Sequence, residues 1–201
     1  MNHNILIAGV GGQGTVLASR LIAQCAMSRD LFVRTAETIG MAQRGGSVFS
    51  HVRIGENIPS PLIPLGGAQL IIGFEPAETV RVLPYLSKDG AVIVNMTAVK
   101  PVTDALSKSN YRGEDMLKHL ESQLANLLQF DGTGLVRECG VEKALNIALI
   151  GAAAGQDLLG FTPEEVLAAI EIIIPERYRA ANIQVFKTAY QISREKLGGT
   201  K

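Results

Sequence analysis

Residues 5–15 read ILIAGVGGQGT, and no other stretch restricts the architecture as much. The run Asn4–Ala8 has the length and apolar character of a short buried strand. It enters a turn holding Gly9, Gly11, Gly12, Gln13 and Gly14. A helical pattern carrying Val16, Leu17, Leu21 and Cys25 then runs from about Gln13 to Met27. A buried strand that turns directly into a helix opens a β-α unit and points to an α/β sheet with helices on both faces. The glycines fit the G-x-G-x-x-G spacing that seats a dinucleotide pyrophosphate on a helix N-terminus. They also fit a turn whose task is to let helix and strand approach closely.

The alternation continues along the chain. Leu31–Glu37 (LFVRTAE) reads as a second strand, closing a β-α-β unit in about 30 residues as a parallel right-handed crossover. A loop, TIGMAQRGG, leads to SVFSHVRIG, where Val48, Ser50, Val52 and Ile54 alternate with Phe49, His51 and Arg53 as in a third strand. The proline-rich NIPSPLIPLGG cannot be helical. Ala68–Phe74 and Gly90–Asn95 read as a fourth and a fifth strand, separated by EPAETVRVLPYL, a short helix that Pro84 kinks or ends. The second half of KSNYRGEDMLKHLESQLAN reads as helix and Leu127–Gly132 as a sixth strand.

Three helices finish the chain. Val141–Gly155 is apolar nearly all round and therefore buried. Thr162–Ile172 has Thr162 as N-cap, Pro163 at the first position and Glu164 and Glu165 in the first turn. The last, near Tyr178–Leu197, places Tyr178, Ala181, Val185, Ala189 and Ile192 at helical spacing. Strands alternating with helices specify a mainly parallel sheet in one domain, residues 1–197, with 198–201 as a frayed tail.

Composition narrows the function classes. Hydrophobic residues make up 47% and charged residues 19% of the chain, and 19 Lys plus Arg balance 19 Asp plus Glu. Zero net charge without a basic stripe on any expected helix argues against nucleic-acid binding. The sparse charge suits a chain part of whose surface a partner subunit covers. Cys25 and Cys139 stand far apart and neither belongs to a C-x-x-C pair. This chain alone is therefore not expected to ligate an iron–sulfur cluster or a structural zinc by thiolates. Isolated cysteines fit reduced thiols, and a strand starting within about four residues of Met1 leaves no room for a signal peptide. No apolar run reaches the roughly 18 residues of a membrane span, so the expected setting is cytoplasmic.

In a parallel α/β sheet the first strand–helix turn lies at the carboxyl edge, where ligands bind. The dinucleotide pattern also expects an acidic residue at the end of the second strand, and here Glu37 comes late, after Thr35 and Ala36. A second candidate is GMAQRGGSVFSHVR, Gly40–Arg53, where Gln43 and Arg44 precede Gly45, Gly46 and Ser47. A guanidinium beside two unshielded amides and a hydroxyl suits a carboxylate or a phosphate. The plain alternative is a turn before a strand, with Arg44 solvated or salt-bridged. His51 has no acid or nucleophile paired with it, and no Ser-His-Asp order, carboxylate pair or H-x-x-x-H set stands out. Catalysis by this chain alone is not expected.

The segments GVGGQGT, TAETIGMAQRGGSVFSHVRIG, GGAQLIIGFEPAETVR and KALNIALIGAAAG together resemble the gamma-type domain of 2-oxoacid:ferredoxin oxidoreductases, over about Asn4–Tyr190. Within that family the resemblance is strongest to the small (beta) subunit of the indolepyruvate branch. Pyruvate and 2-oxoglutarate branches typically carry an acidic residue before the Arg-Gly-Gly, where this chain has Gln43.

The resemblance implies a Rossmann-like fold without a nicotinamide. It implies a role in oxidative decarboxylation of a 2-oxoacid with coenzyme A to an acyl-CoA, with electrons passed to ferredoxin. Thiamine diphosphate and iron–sulfur clusters then belong to a large (alpha) subunit. Gly9, Gly11, Gly12, Gln13, Gly14, Gln43, Arg44, Gly45, Gly46 and Ser47 are expected to face coenzyme A, substrate or that subunit. The competing expectation is a free-standing Rossmann nucleotide-binding oxidoreductase or regulator.

Overall fold

The first strand, β1 (His3–Val10), sends Ile5 and Ile7 to one face and Leu6 and Ala8 to the other, and all four are completely buried. A strand apolar on both faces needs a covering layer on each. In a computed structural model that describes residues 2–39, 46–99 and 111–198, the rest of the chain supplies those layers. The elements after β1 are α1 (Thr15–Ser28), β2 (Val33–Ile39), β3 (Ser47–Ile54), β4 (Ala68–Gly73), α2 (Pro76–Val82) and β5 (Leu86–Asn95). They continue with α3 (Gly113–Gln123), β6 (Leu127–Phe130), α4 (Gly132–Glu138), α5 (Leu145–Gly155), α6 (Pro163–Ile173) and α7 (Glu176–Gly198). Residues Leu83–Tyr85 and Glu142–Ala144 form 3-10 turns.

The strands form one sheet in the order β2-β3-β1-β4-β5-β6. β1, β4, β5 and β6 are parallel, and β3 runs antiparallel to both of its neighbours. Ile5, Ile7, Leu70, Ile72 and Ile93 pack under α1 and α4–α7, whereas Leu6, Ala8, Ile71 and Val92 pack under Val82 of α2 and Ile63. Val94 meets Leu117 and Leu120 of α3. This is the mainly parallel, two-sided α/β fold read from the sequence.

Several local expectations are corrected. β2 does not lie beside β1: β3 is inserted between them, so the β1-α1-β2 crossover steps over one strand. The alternation of β3 reveals that it is a strand but says nothing of its neighbours. β6 ends at Phe130, and Asp131 Oδ1 accepts from Gly134 N at 2.8 Å to start α4, a helix absent from the sequence reading. β5 begins at Leu86, four positions before the Gly90 expected, because Leu86 already pairs with Ala68.

On α7 the inward residues are Asn182, Val185, Phe186, Ala189 and Ser193, while Tyr178 is 50% and Ile192 37% exposed. Asn182 and Ser193 take inward places because Nδ2 of the first donates to Tyr178 O and Oγ of the second to Ala152 O, each at 2.8 Å. Residues 199–201, most of the expected frayed tail, lie outside the described residues.

α5 is buried from Asn146 to Gly155, as its uniform apolarity requires. It meets α7 through glycines. A Cβ on Gly151 would stand 2.7 Å from Phe186 O, and one on Gly155 would stand 2.6 Å from Tyr190 O. α6 carries the capping box read from Thr162 and Glu165, and Glu165 also pairs with Arg29 next to α1.

His51 is buried on β3, edge-on to Tyr85, and its Nδ1 accepts a hydrogen bond from Ile63 N at 3.2 Å. It is therefore neutral with the proton on Nε2. Burial, aided by the Arg53 charge, holds its pKa below the ordinary value, and burial does the same to His3, whose Nε2 contacts Leu158 O. The unfolded chain thus binds more protons below about pH 6.5. Stability is expected to be complete above that pH and to fall on acidification, with a limiting slope of about 1.4 kcal/mol per pH unit for each histidine. Denaturant melts at pH 7.5, 6.5 and 5.5 check this, and His51→Gln should flatten the curve. A pH-independent midpoint would contradict it.

Candidate functional site

The carboxyl ends of β1, β4, β5 and β6 share one edge of the sheet. Because β3 is antiparallel, its start lies there too: Ser47 pairs with Val10, and Gly11 N donates to Gly46 O at 2.8 Å. The glycine turn closes with Gln13 N on Val10 O at 3.2 Å. Gly12 has φ +100° and Gly14, the N-cap of α1, has φ +88°. Both lie in the left-handed region, which only glycine enters without strain.

Gln13 is committed within this edge. Its Oε1 accepts from Val10 N at 2.8 Å and its Nε2 donates to Phe74 O at 3.2 Å, tying the end of β1 to the end of β4. The same Phe74 carbonyl accepts from Asn95 Nδ2 at 3.2 Å, and Asn95 also holds Thr133 at the start of α4. A single carbonyl thus joins three parallel strands at the edge.

Beside it stand two buried carboxylates that the sequence reading did not single out. Glu75 caps α2 by accepting from Glu78 N at 3.0 Å, and its other oxygen accepts from Val99 N and from the Tyr111 hydroxyl. Burial and the adjacent Glu75 carboxylate push the Tyr111 phenol well above its ordinary pKa, so it remains a donor. Glu78 accepts from Ser47 Oγ and pairs with Arg81 at 3.3 Å. The available signal was GFEP: an acid at the end of an apolar strand, immediately before a proline that starts a helix.

Of the sequence-derived site residues, Gly9, Gly11, Gly12, Gln13, Gly14, Gly46 and Ser47 come together at this edge. Gln43, Arg44 and Gly45 lie outside the described residues. Glu37 is exposed, 3.5 Å from Ser19 Oγ. A second arrival at the edge is Asn146, in the first turn of α5: a Cβ on Gly14 would stand 3.1 Å from its Nδ2.

Cys25 lies in the core with its thiol pushed up to about 12 by burial, an inert thiol. Among the described residues no three His, Cys, Asp or Glu side chains form a metal-ligand set. No helix among them is long and apolar enough to cross a membrane. A 510 Å³ depression lined by Phe32, Arg34, Asn57, Ile58 and Pro59 lies toward the opposite edge, where β2 begins and β3 ends.

A family model described as pyruvate ferredoxin/flavodoxin oxidoreductase matches residues 4–192. The chain belongs to that family. The indolepyruvate oxidoreductase subunit IorB of Methanothermobacter thermautotrophicus is 33% identical over 196 residues, 97% of this chain and 100% of that one. The gamma subunit of a keto/oxoacid ferredoxin oxidoreductase from Geobacter sulfurreducens superposes with a TM-score of 0.69 at 19% identity, covering 95% of this chain and 98% of that one. The 2-oxoglutarate:ferredoxin oxidoreductase of Magnetococcus marinus, solved with 2-oxoglutarate, coenzyme A and succinyl-CoA, aligns with a TM-score of 0.71 at 14% identity. It covers 96% of this chain but only 31% of that chain. Members of this oxidoreductase family carry the present fold either as a separate small subunit or as part of a longer chain. The chain is a small subunit of a 2-oxoacid:ferredoxin oxidoreductase, and nothing supports the alternative of a free-standing nucleotide-binding protein.

Proposed function

We propose that this subunit serves an indolepyruvate or arylpyruvate type of complex in the cytoplasm. That complex converts an aryl 2-oxoacid and coenzyme A to an acyl-CoA and carbon dioxide, with the electron pair passed to ferredoxin. The observation that carries this reading is the likeness to an IorB subunit over the whole length of both chains. Gln43, standing where an acid precedes the Arg-Gly-Gly in the other branches, supports it. Thiamine diphosphate and the iron–sulfur clusters belong to the large (alpha) subunit. The cysteines here fit no cluster: Cys25 packs in the core, and Cys139 has no second thiol spaced to join it. Bound to the partner, the thiamine cofactor supplies the carbanion chemistry of decarboxylation.

This chain's contribution is the rigid carboxyl edge. Gly9, Gly11, Gly12, Gln13, Gly14, Gly46 and Ser47, with Gln43, Arg44 and Gly45, which precede β3 in the sequence, form the proposed surface for coenzyme A or the large subunit. The turn is locked from within by Gln13, so it offers a fixed outline rather than an adaptable loop. Met96 and Val99, 45% and 37% exposed, leave apolar surface at the same edge.

Arg44 tests the reading. A charge-assisted hydrogen bond from its guanidinium to a carboxylate or phosphate is worth roughly 1.5–3 kcal/mol. Arg44→Ala, reconstituted with the large subunit, is expected to weaken assembly or raise the KM for coenzyme A by about one to two orders of magnitude. Arg44→Lys should recover part, because an ammonium cannot form the bidentate fork. Unchanged assembly and unchanged coenzyme A dependence in Arg44→Ala would refute the assignment.

A further inference from the structure

We propose that the depression where β2 begins and β3 ends binds a small aryl carboxylate, with the Arg34 guanidinium taking the carboxylate and Phe32, Ile58 and Pro59 taking the ring. Its 510 Å³ falls within the roughly 300–1,000 Å³ usual for small-molecule sites. Phe32, just before β2, is 51% exposed, a large ring that the fold itself leaves uncovered. The Arg34 guanidinium lies over that ring, 5.3 Å from its centroid. Among the described residues it has no carboxylate partner and no hydrogen-bond acceptor. Its N–H fork is therefore open to a planar anion.

A second cation stands beside the first. Arg34 is paired with Arg53 across the β2–β3 ladder, and directly opposed like charges are unfavourable. No acid offsets them. Arg53 donates to Asn4 Oδ1 at 3.0 Å, to Ser60 O at 2.8 Å and to Leu62 O at 3.1 Å, all uncharged acceptors. Glu56, the acid nearest in sequence to the lining, is in no ion pair among the described residues. An anion entering here relieves the repulsion that the chain leaves standing. The bonds from Arg53 also hold the backbone just past Pro59, Ile58 roots the same wall at 7% exposure, and Gly55 N donates to Phe32 O at 3.0 Å on the other side. The walls are thus set before any ligand arrives, which lowers the cost of binding. Cations alone would serve an inorganic anion, but the apolar lining selects one that carries a ring. The depression lies at the edge opposite the proposed coenzyme A or large-subunit surface, and its ligand is argued from its own lining, independently of that reading.

The test titrates the full chain by calorimetry with indole-3-acetate, with indole-3-ethanol, acetate and inorganic phosphate as comparators. Indole-3-acetate is expected to bind more tightly than each comparator by about tenfold or more, the worth of a charge-assisted hydrogen bond. Arg34→Gln and Phe32→Ala should each weaken it by a similar factor, and Arg34→Lys by less. Arg44→Ala should leave it unchanged. The two lining side chains are exposed and Arg34→Gln removes one of two opposed cations, so these variants should melt with the parent. Absent binding of indole-3-acetate, or binding that Arg34→Gln does not weaken, would overturn the proposal. Equal affinity for indole-3-ethanol would overturn the carboxylate, and equal affinity for phosphate would overturn the ring. A loss in Arg44→Ala as large as that in Arg34→Gln would move the ligand to the carboxyl edge. Binding by the free chain that disappears in the reconstituted complex would overturn the small-ligand reading and give the depression to the large subunit.

Discussion

Gly73→Ala is expected to destabilise the protein by about 3 kcal/mol or more, at the top of the range for overpacked cores. For a chain of this size that lowers the melting temperature by about 6–12 °C. Gly73 ends β4, and α2 folds back over it so closely that a Cβ would stand 1.8 Å from Thr79 Oγ1, 2.8 Å from its Cβ and 2.9 Å from its Cγ2. Thr79 cannot turn away: it is fully buried, and its hydroxyl donates to Glu75 O at 2.7 Å. Even a rotated Thr79 leaves its Cβ in the way, so α2 must move, taking Glu75 and Glu78 with it. A thermal melt followed by circular dichroism measures the loss. Adding Thr79→Ala should restore part of it by removing Oγ1 and Cγ2. A single variant that melts within about 2 °C of the parent, worth under 1 kcal/mol, would show that α2 is held less tightly than described.

Phe186→Ala should cost about 3–5 kcal/mol, near the upper end for a buried aromatic. Phe186 is 1% exposed in the main core and stacks on Tyr190 with ring centroids 6.3 Å apart. The cost of such a deletion depends on how far the neighbours can close over the cavity. Here they cannot, because Gly151 of α5 already lies against the Phe186 carbonyl. With α5 and α7 in backbone contact, neither helix can approach further. Urea denaturation gives the free energy directly, and Phe186→Leu should lose less. A loss below about 1 kcal/mol would mean that the seam relaxes after all.

Much of this architecture was readable from local periodicity. The strand–turn–helix opening, the buried α5 and the capped start of α6 each depend on residues within a few positions of one another, and each is found as expected. What local patterns do not encode is the choice of neighbour. Ser50 and Val52 alternate as a strand wherever that strand is placed, so the insertion of β3 between β1 and β2 was invisible. α4 escaped notice because GTGLVRE is a poor helix former that depends on the Asp131 cap and on packing of Leu135 and Val136.

The site divides in the same way. The glycine turn was plain, because positive φ demands glycine. Glu75 acquires its meaning only when residues 99 and 111 arrive on its carboxylate. Asn146 reaches the edge only because α5 meets Gly14 from far along the chain.

The place of β1 has a consequence for how the protein is made. Of the strands in this sheet, the first to leave the ribosome is an interior one, flanked by β3 on one side and β4 on the other. Its apolar residues, destined for both layers, have nothing to pair with until Ser47–Ile54 and Ala68–Gly73 have been synthesised. For that interval the nascent chain carries an unpaired hydrophobic strand, the kind of segment that chaperones hold and that aggregates when they do not.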